Sequence, residues 1–88
     1  MRILYHKNFL KDLAGIPTKQ RKKIEDFAFI DINKASTFQA IGKVEKLTGF
    51  KHNYKIRFGD YRIGLHFRDD VLTFERVLNR KEIYRHYP

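Results

Sequence analysis

Tyr54-Lys55-Ile56-Arg57-Phe58-Gly59-Asp60-Tyr61-Arg62-Ile63-Gly64-Leu65-His66-Phe67-Arg68 reads as two runs of alternating apolar and polar residues broken by a Gly-Asp pair. Alternation with period two marks half-buried strands, and two intervening residues make a tight hairpin. Gly59 at the first turn position suits a type II′ turn. Such a turn fixes the register: Phe58 flanks Tyr61, Arg57 opposes Arg62, Ile56 opposes Ile63 and Lys55 opposes Gly64. The apolar partners share one face, and Lys55, Arg57 and Arg62 share the other. Cross-strand β-carbons lie about 4.5–5.5 Å apart, so two arginines placed there repel. An anion between them would remove that penalty. Gly64 beside them leaves space for a phosphate or sugar, or else marks a bulge.

Downstream, Asp69-Asp70 starts a third strand from Val71. Simple pairing sets Phe67 opposite Leu72 and Leu65 opposite Phe74 on the apolar face. It also sends Arg76 to that face beside Ile63, which a strand end or a bulge near Glu75-Arg76 would avoid. Asn79 then reads as the cap of a short terminal helix, with Glu82 at the capping-box position and Ile83 packed inward. Arg80 and Tyr84, four apart, would share a face of that helix beside Arg57 and Arg62.

Upstream, residues 2–6 make a short apolar-rich strand. Phe9, Leu10, Leu13 and Ile16 recur at helical spacing until Gly15 and Pro17 interrupt. Thr18 is placed to cap a second helix with Ile24, Phe27 and Ala28 on one face. Lys19, Arg21, Lys22 and Lys23 crowd its first turns, the unfavourable end of the helix dipole for positive charge; they serve a partner or form a solvated surface. Within residues 31–53, Asp31-Ile32-Asn33 and Ala35-Ser36-Thr37 read as loop, with a short helical turn through Ile41, Val44 and Leu47 ended by Leu47-Thr48-Gly49.

These segments add up to an α+β domain, a small antiparallel-rich sheet packed against two N-terminal helices with a short C-terminal helix. At 88 residues the chain allows one domain, 1–88, and buries only about 60–65% of its unfolded surface, so eight Phe and five Tyr matter to the core. Absence of cysteine excludes a disulfide framework, a Cys-ligated zinc site and thiol chemistry, in keeping with a reducing compartment and an expected cytoplasmic location. No stretch approaches the roughly 20 apolar residues of a membrane span, so no membrane partner is expected. Nineteen Lys and Arg against ten Asp and Glu give a formal charge of +9, spread along the chain. Charge so distributed lies on folded surfaces and steers the protein towards a polyanion or an acidic protein.

Lys55, Arg57, Arg62, Arg80 and Tyr84 form the candidate site. Arginine grips phosphate through a planar fork, lysine adds a mobile charge, and tyrosine stacks under an exposed base. On RNA, the reaction open to this set is attack of a ribose 2′-hydroxyl on the adjacent phosphate, with in-line orientation, charge stabilisation and proton transfer. Arg57 and Arg62 suit charge stabilisation; Lys55 or Tyr84 suits substrate positioning or base action. His66 on the polar face and terminal His86 are lesser candidates for proton transfer. The four histidines show no metal-ligand spacing. Nor is there a Gly-rich phosphate loop, dinucleotide fingerprint, nucleophile elbow or paired-carboxylate pattern, so no cofactor is expected.

Through Phe9-Leu10-Lys11-Asp12-Leu13, Arg21-Lys22-Lys23-Ile24, Lys46-Leu47-Thr48-Gly49, the hairpin from Tyr54 to Ile63, and Asn79-Arg80-Lys81-Glu82-Ile83-Tyr84, the chain resembles the RelE/ParE toxin superfamily, especially the RelE-type mRNA interferases. The resemblance implies a toxin of a type II toxin–antitoxin system that cleaves mRNA in the ribosomal A site. Lys55, Arg57 and Arg62 would then bind RNA or stabilise the transition state, Arg80 contact phosphate, and Tyr84 stack on a base or assist proton transfer. A cognate antitoxin is the implied partner, with DNA reached only through the antitoxin complex. The alternatives on this scaffold are a ParE-like topoisomerase inhibitor and a noncatalytic basic nucleic-acid-binding module. Asn79-Arg80 stands where many relatives carry His-Arg, and asparagine cannot replace histidine in acid–base work. Arg57, where some members carry lysine, keeps the charge but changes contact geometry.

Overall fold

The computed structural model describes all residues, Met1–Pro88. In chain order the elements are β1 (Arg2–Tyr5), α1 (Lys7–Ala14), α2 (Thr18–Glu25), β2 (Val44–Lys46), β3 (Asn53–Phe58), β4 (Tyr61–Arg68), β5 (Val71–Asn79) and α3 (Ile83–His86). The sheet order is β1-β5-β4-β3-β2, with β1 parallel to β5 and the other pairs antiparallel. This is the expected α+β architecture, with the two N-terminal helices on one face of the sheet.

The helices form where local chemistry allows. The His6 Nδ1 accepts the Asn8 amide at 3.0 Å and so caps α1, and Gly15 closes it with an N–H to Asp12 at 3.0 Å. Phe9 and Leu13 are buried while Leu10 is 45% exposed, so the apolar stripe of α1 is narrower than its sequence implies. Thr18 does not cap α2. It is the first helical residue, Pro17 occupies the cap position, and no side chain caps this helix. Proline suits the start of a helix, where a missing N–H leaves no bond unmade. Beyond Glu25 the chain runs on through a wide turn, Asp26–Ile30, that turns Phe27 and Ala28 inward.

The segment expected as loop with a helical turn through Ile41, Val44 and Leu47 is organised differently. Short 3-10 turns at Asp31–Lys34 and Gln39–Ile41 lead into β2, which adds an edge strand to β3. Val44 faces Ile56 across that pairing. The preceding turn brings Phe38 onto Phe67, ring centroids 4.1 Å apart and nearly parallel, so packing against the sheet overrides the weak helical spacing.

The hairpin register is the expected one, Phe58 with Tyr61, Arg57 with Arg62, Ile56 with Ile63 and Lys55 with Gly64. Gly59 takes φ +61°, as the first position of a type II′ turn requires. Between β4 and β5, a bulge lets Leu65 pair with Phe74 while Gly64 pairs with Arg76. The extra residue, Glu75, shifts the strand so that Val77 faces Ile63. Arg76 instead makes a two-bond fork with Asp12 of α1, at 2.7 and 3.0 Å.

The main core lies between the helices and the sheet, where Phe9, Ile24, Phe27 and Ile32 meet Ile56, Ile63, Leu65, Leu72, Phe74 and Val77. Each such side chain, fully buried, stabilises the fold by about 1.5–3 kcal/mol. A smaller cluster of Leu47, Ile83 and Tyr87, with Leu78 against it, lies apart and docks the C-terminal segment on the outer face.

Candidate nucleic-acid interface

Outside the patch covered by that segment, the outer face carries the charged residues of the hairpin. Period-two alternation puts Lys55 and Arg57 on this face of β3 and Arg62 on the same face of β4. Arg57 keeps 68% of its side chain in solvent and Lys55 22%. Arg62 is half-buried, and its Nη1 donates to the carbonyls of Gly59 at 2.8 Å and Tyr61 at 2.9 Å.

The repulsion expected between Arg57 and Arg62 is eased without an anion between them. Arg62 folds back on the hairpin turn, and Arg57 turns the other way, its Nε 3.5 Å from Oε1 of Glu45 on β2. Glu45 pairs with Lys55 in the β2–β3 register and is the residue that sequence reasoning missed. A three-residue strand is too short for period two to stand out, so only the hydrophobic–acidic step Val44-Glu45 hinted at it.

Lys55 and Tyr84 meet directly. The ammonium donates to the Tyr84 hydroxyl at 2.9 Å and also lies 5.3 Å from the ring centroid. Tyr84 is 57% exposed, so its ring remains open to a stacking partner.

Arg80 sits elsewhere than expected. The terminal helix begins only at Ile83, with Glu82 at its cap position, and no side chain caps it. Asn79 ends β5 and its Oδ1 accepts the Lys81 amide at 3.0 Å, tightening a turn rather than capping the helix. Arg80 and Tyr84 therefore do not share a helix face. The Arg80 amide is held 2.8 Å from the Asp60 carbonyl, which sets this exposed arginine beside the hairpin tip.

Gly64 is not an opening for phosphate or sugar. The ring of Tyr87 lies on it so closely that a Cβ at Gly64 would come 2.7 Å from ring carbons. The Tyr87 hydroxyl donates to the Leu65 carbonyl and accepts from Asn53 Nδ2 at 3.2 Å. Burial pushes that hydroxyl up to about 12. With Ile83, it anchors α3 and so fixes where Tyr84 stands. Of the histidines, His6 caps α1, His86 is exposed on α3, and His66 pairs with Asn53 with the His52 ring 5.9 Å away.

Comparison with known proteins bears on the family and the fold. Residues 3–84 match the family described as ParE toxin of type II toxin-antitoxin system, parDE. The chain is 38% identical over 88 residues, the whole of both proteins, to Toxin RelE3 of Methanocaldococcus jannaschii. Its fold superposes on the RelB-RelE antitoxin-toxin complex from Methanococcus jannaschii with a TM-score of 0.77 at 36% identity, covering 97% of this chain and 99% of that one. The archaeal RelE-RelB complex from Pyrococcus horikoshii shares the fold, with a TM-score of 0.65 at 24% identity over 93% of this chain and 97% of that one. From its matched sequence, sheet order and the RelE relatives it superposes on, the chain belongs to the RelE/ParE superfamily of type II toxin–antitoxin toxins, on its RelE-like side.

Proposed function

We propose that the protein is a ribosome-dependent mRNA endoribonuclease, acting in the cytoplasm and restrained by a cognate antitoxin. The observation that carries this reading is the placing of Arg57 opposite Arg62 on an open face, with Lys55 in contact with exposed Tyr84. Two cross-strand arginines whose partners are turn carbonyls and one exposed carboxylate can exchange them for phosphate oxygens.

In this mechanism Arg57 and Arg62 straddle the scissile phosphate and stabilise the charge that grows on it as the 2′-hydroxyl attacks. Tyr84 stacks on a neighbouring base and, by splaying the strand, sets the 2′-oxygen in line with the leaving 5′-oxygen. Lys55, held as an ammonium at the Tyr84 hydroxyl, positions the reacting ribose, while water takes the 2′-hydroxyl proton and supplies one to the leaving 5′-oxygen. Arg80 at the hairpin tip takes a flanking phosphate. The 2′,3′-cyclic phosphate and free 5′-hydroxyl follow from the atoms that bond and part. Support for the antitoxin comes from the 36% identical relative described as a RelB-RelE antitoxin-toxin complex.

Mapping RNA ends in a purified translation reaction tests the reading. Wild-type protein generates new mRNA ends, and Arg62→Ala loses roughly a hundred-fold or more in rate, the usual cost of removing one transition-state charge partner. A folded wild type that makes no new ends rejects the enzyme assignment. The match to the family described as ParE toxin favours inhibition of a DNA topoisomerase as the second reading, and a supercoiling assay on the same preparation decides it.

A further inference from the structure

We infer that Glu45 is a positioning residue of this site, an internal counter-ion that holds Lys55 against Tyr84 and gives up Arg57 to the RNA phosphate. The inference rests on the RNA-binding part of the function proposed above.

Glu45 reaches both cations at once: Oε1 is 3.5 Å from Arg57 Nε and Oε2 is 4.0 Å from Lys55 Nζ. Lys55 in turn donates to Tyr84 at 2.9 Å. Carboxylate, ammonium and phenol thus run in a line from the sheet edge to α3. Pairing with Lys55 fixes Glu45 on this face, because a one-residue slip of β2 would carry Glu45 to the core side and turn Val44 out.

The two contacts are unequal. The Arg57 contact is the shorter, 3.5 against 4.0 Å, but Arg57 is 68% exposed, so that ion pair is screened and readily exchanged, whereas Lys55 is only 22% exposed and has a second partner in Tyr84. A phosphate carries more acceptor oxygens and matches the arginine fork, so it displaces the carboxylate from Arg57 and leaves it beside Lys55. Two opposed consequences follow. The negative charge weakens the pull on RNA, and it keeps the lysine where the reaction uses it. Neutralising Glu45 therefore tightens binding and slows chemistry, a split that general loosening of the fold does not produce.

The test compares wild type, Glu45→Gln and Glu45→Asp. Binding is read by fluorescence anisotropy with a fluorescein-labelled, single-stranded 2′-O-methyl RNA, which has no hydroxyl to react. Cleavage is read in single turnover on mRNA-programmed ribosomes, and folding by thermal melting. Glu45→Gln is expected to bind roughly five-fold tighter, the scale of one exposed unit charge. Its saturated cleavage rate falls roughly ten-fold, within the cost of misplacing a reacting group, with Glu45→Asp between it and wild type and the melting midpoint unchanged. Equal or weaker RNA binding by Glu45→Gln overturns the inference, and a lowered melting midpoint assigns Glu45 to the fold instead. Because the anisotropy arm needs no cleavage, a wild type that binds but makes no ends sinks the enzyme reading while the affinities still decide Glu45.

Discussion

Ile56 and Ile63 face each other on the helix side of the sheet with no exposed surface, and one position along each strand Arg57 and Arg62 face each other on the opposite side. Both pairs come from one register, yet they affect the fold in opposite directions. The isoleucines remove apolar surface from water, while the arginines add like-charge repulsion that a neighbouring carboxylate and two turn carbonyls ease. The outer pair is therefore something the fold tolerates rather than something it needs. On the proposed function, that difference separates residues whose loss unfolds the protein from residues whose loss silences it.

The largest effect should come from the inner face. Ile63→Ala removes a fully buried side chain from the centre of the sheet, and a denaturant titration should show a loss of about 2–5 kcal/mol. A loss below about 1 kcal/mol would mean that the two faces are not so different.

Gly64→Ala comes next and tests the one place where the outer face is packed. The added methyl meets the Tyr87 ring at 2.7 Å, so either the ring or the strand must shift. A stability loss of about 1–3 kcal/mol is expected, together with weaker RNA cleavage, because α3 and Tyr84 move with Tyr87. Pairing this change with Tyr87→Ala should give a combined loss smaller than the sum of the two, since both disturb one contact.

Tyr87 also gives a pH signature. Its hydroxyl titrates at about 12 in the folded chain against an ordinary 10.0. The folded value is the higher one, so the contribution of this contact is whole below pH 10 and is lost as pH rises towards 12. Thermal melts of wild type should fall more steeply over that range than those of Tyr87→Phe. Identical profiles would remove Tyr87 from the account.

A smaller effect is expected at the far turn, where Asp69 adopts φ +53°. Asp69→Gly should stabilise the fold by about 0.5–1 kcal/mol, by relieving a left-handed backbone that suits glycine better. RNA binding should not change, because this turn joins β4 to β5 at the end away from Gly59-Asp60.

Much of this contrast was legible from the amino acids, and the reasons are specific. Alternation over Tyr54–Arg68 with a two-residue turn at Gly59-Asp60 leaves one register, so the opposition of Arg57 and Arg62 followed directly. The misfit of Arg76 in simple pairing signalled the bulge at Glu75. Glu45 was hidden because β2 spans only Val44–Lys46 and owes its conformation to β3. Asn79 misled because a residue suited to capping a helix also suits a turn, and here the turn amide of Lys81 takes its side chain. Nothing local told that Tyr87 crosses to Gly64, since a long-range contact from a terminal aromatic leaves no periodic trace.

The central claim, that the outer guanidinium groups serve a polyanion and not the fold, is tested most directly with Arg57→Ala. Single-stranded RNA affinity is measured across a salt series, and the melting midpoint is measured on the same samples. The account predicts that the slope of log affinity against log salt flattens by about 0.7, the share of a single neutralised phosphate, while stability stays within about 0.5 kcal/mol of wild type. An unchanged slope, or a loss of stability approaching that of Ile63→Ala, would contradict it.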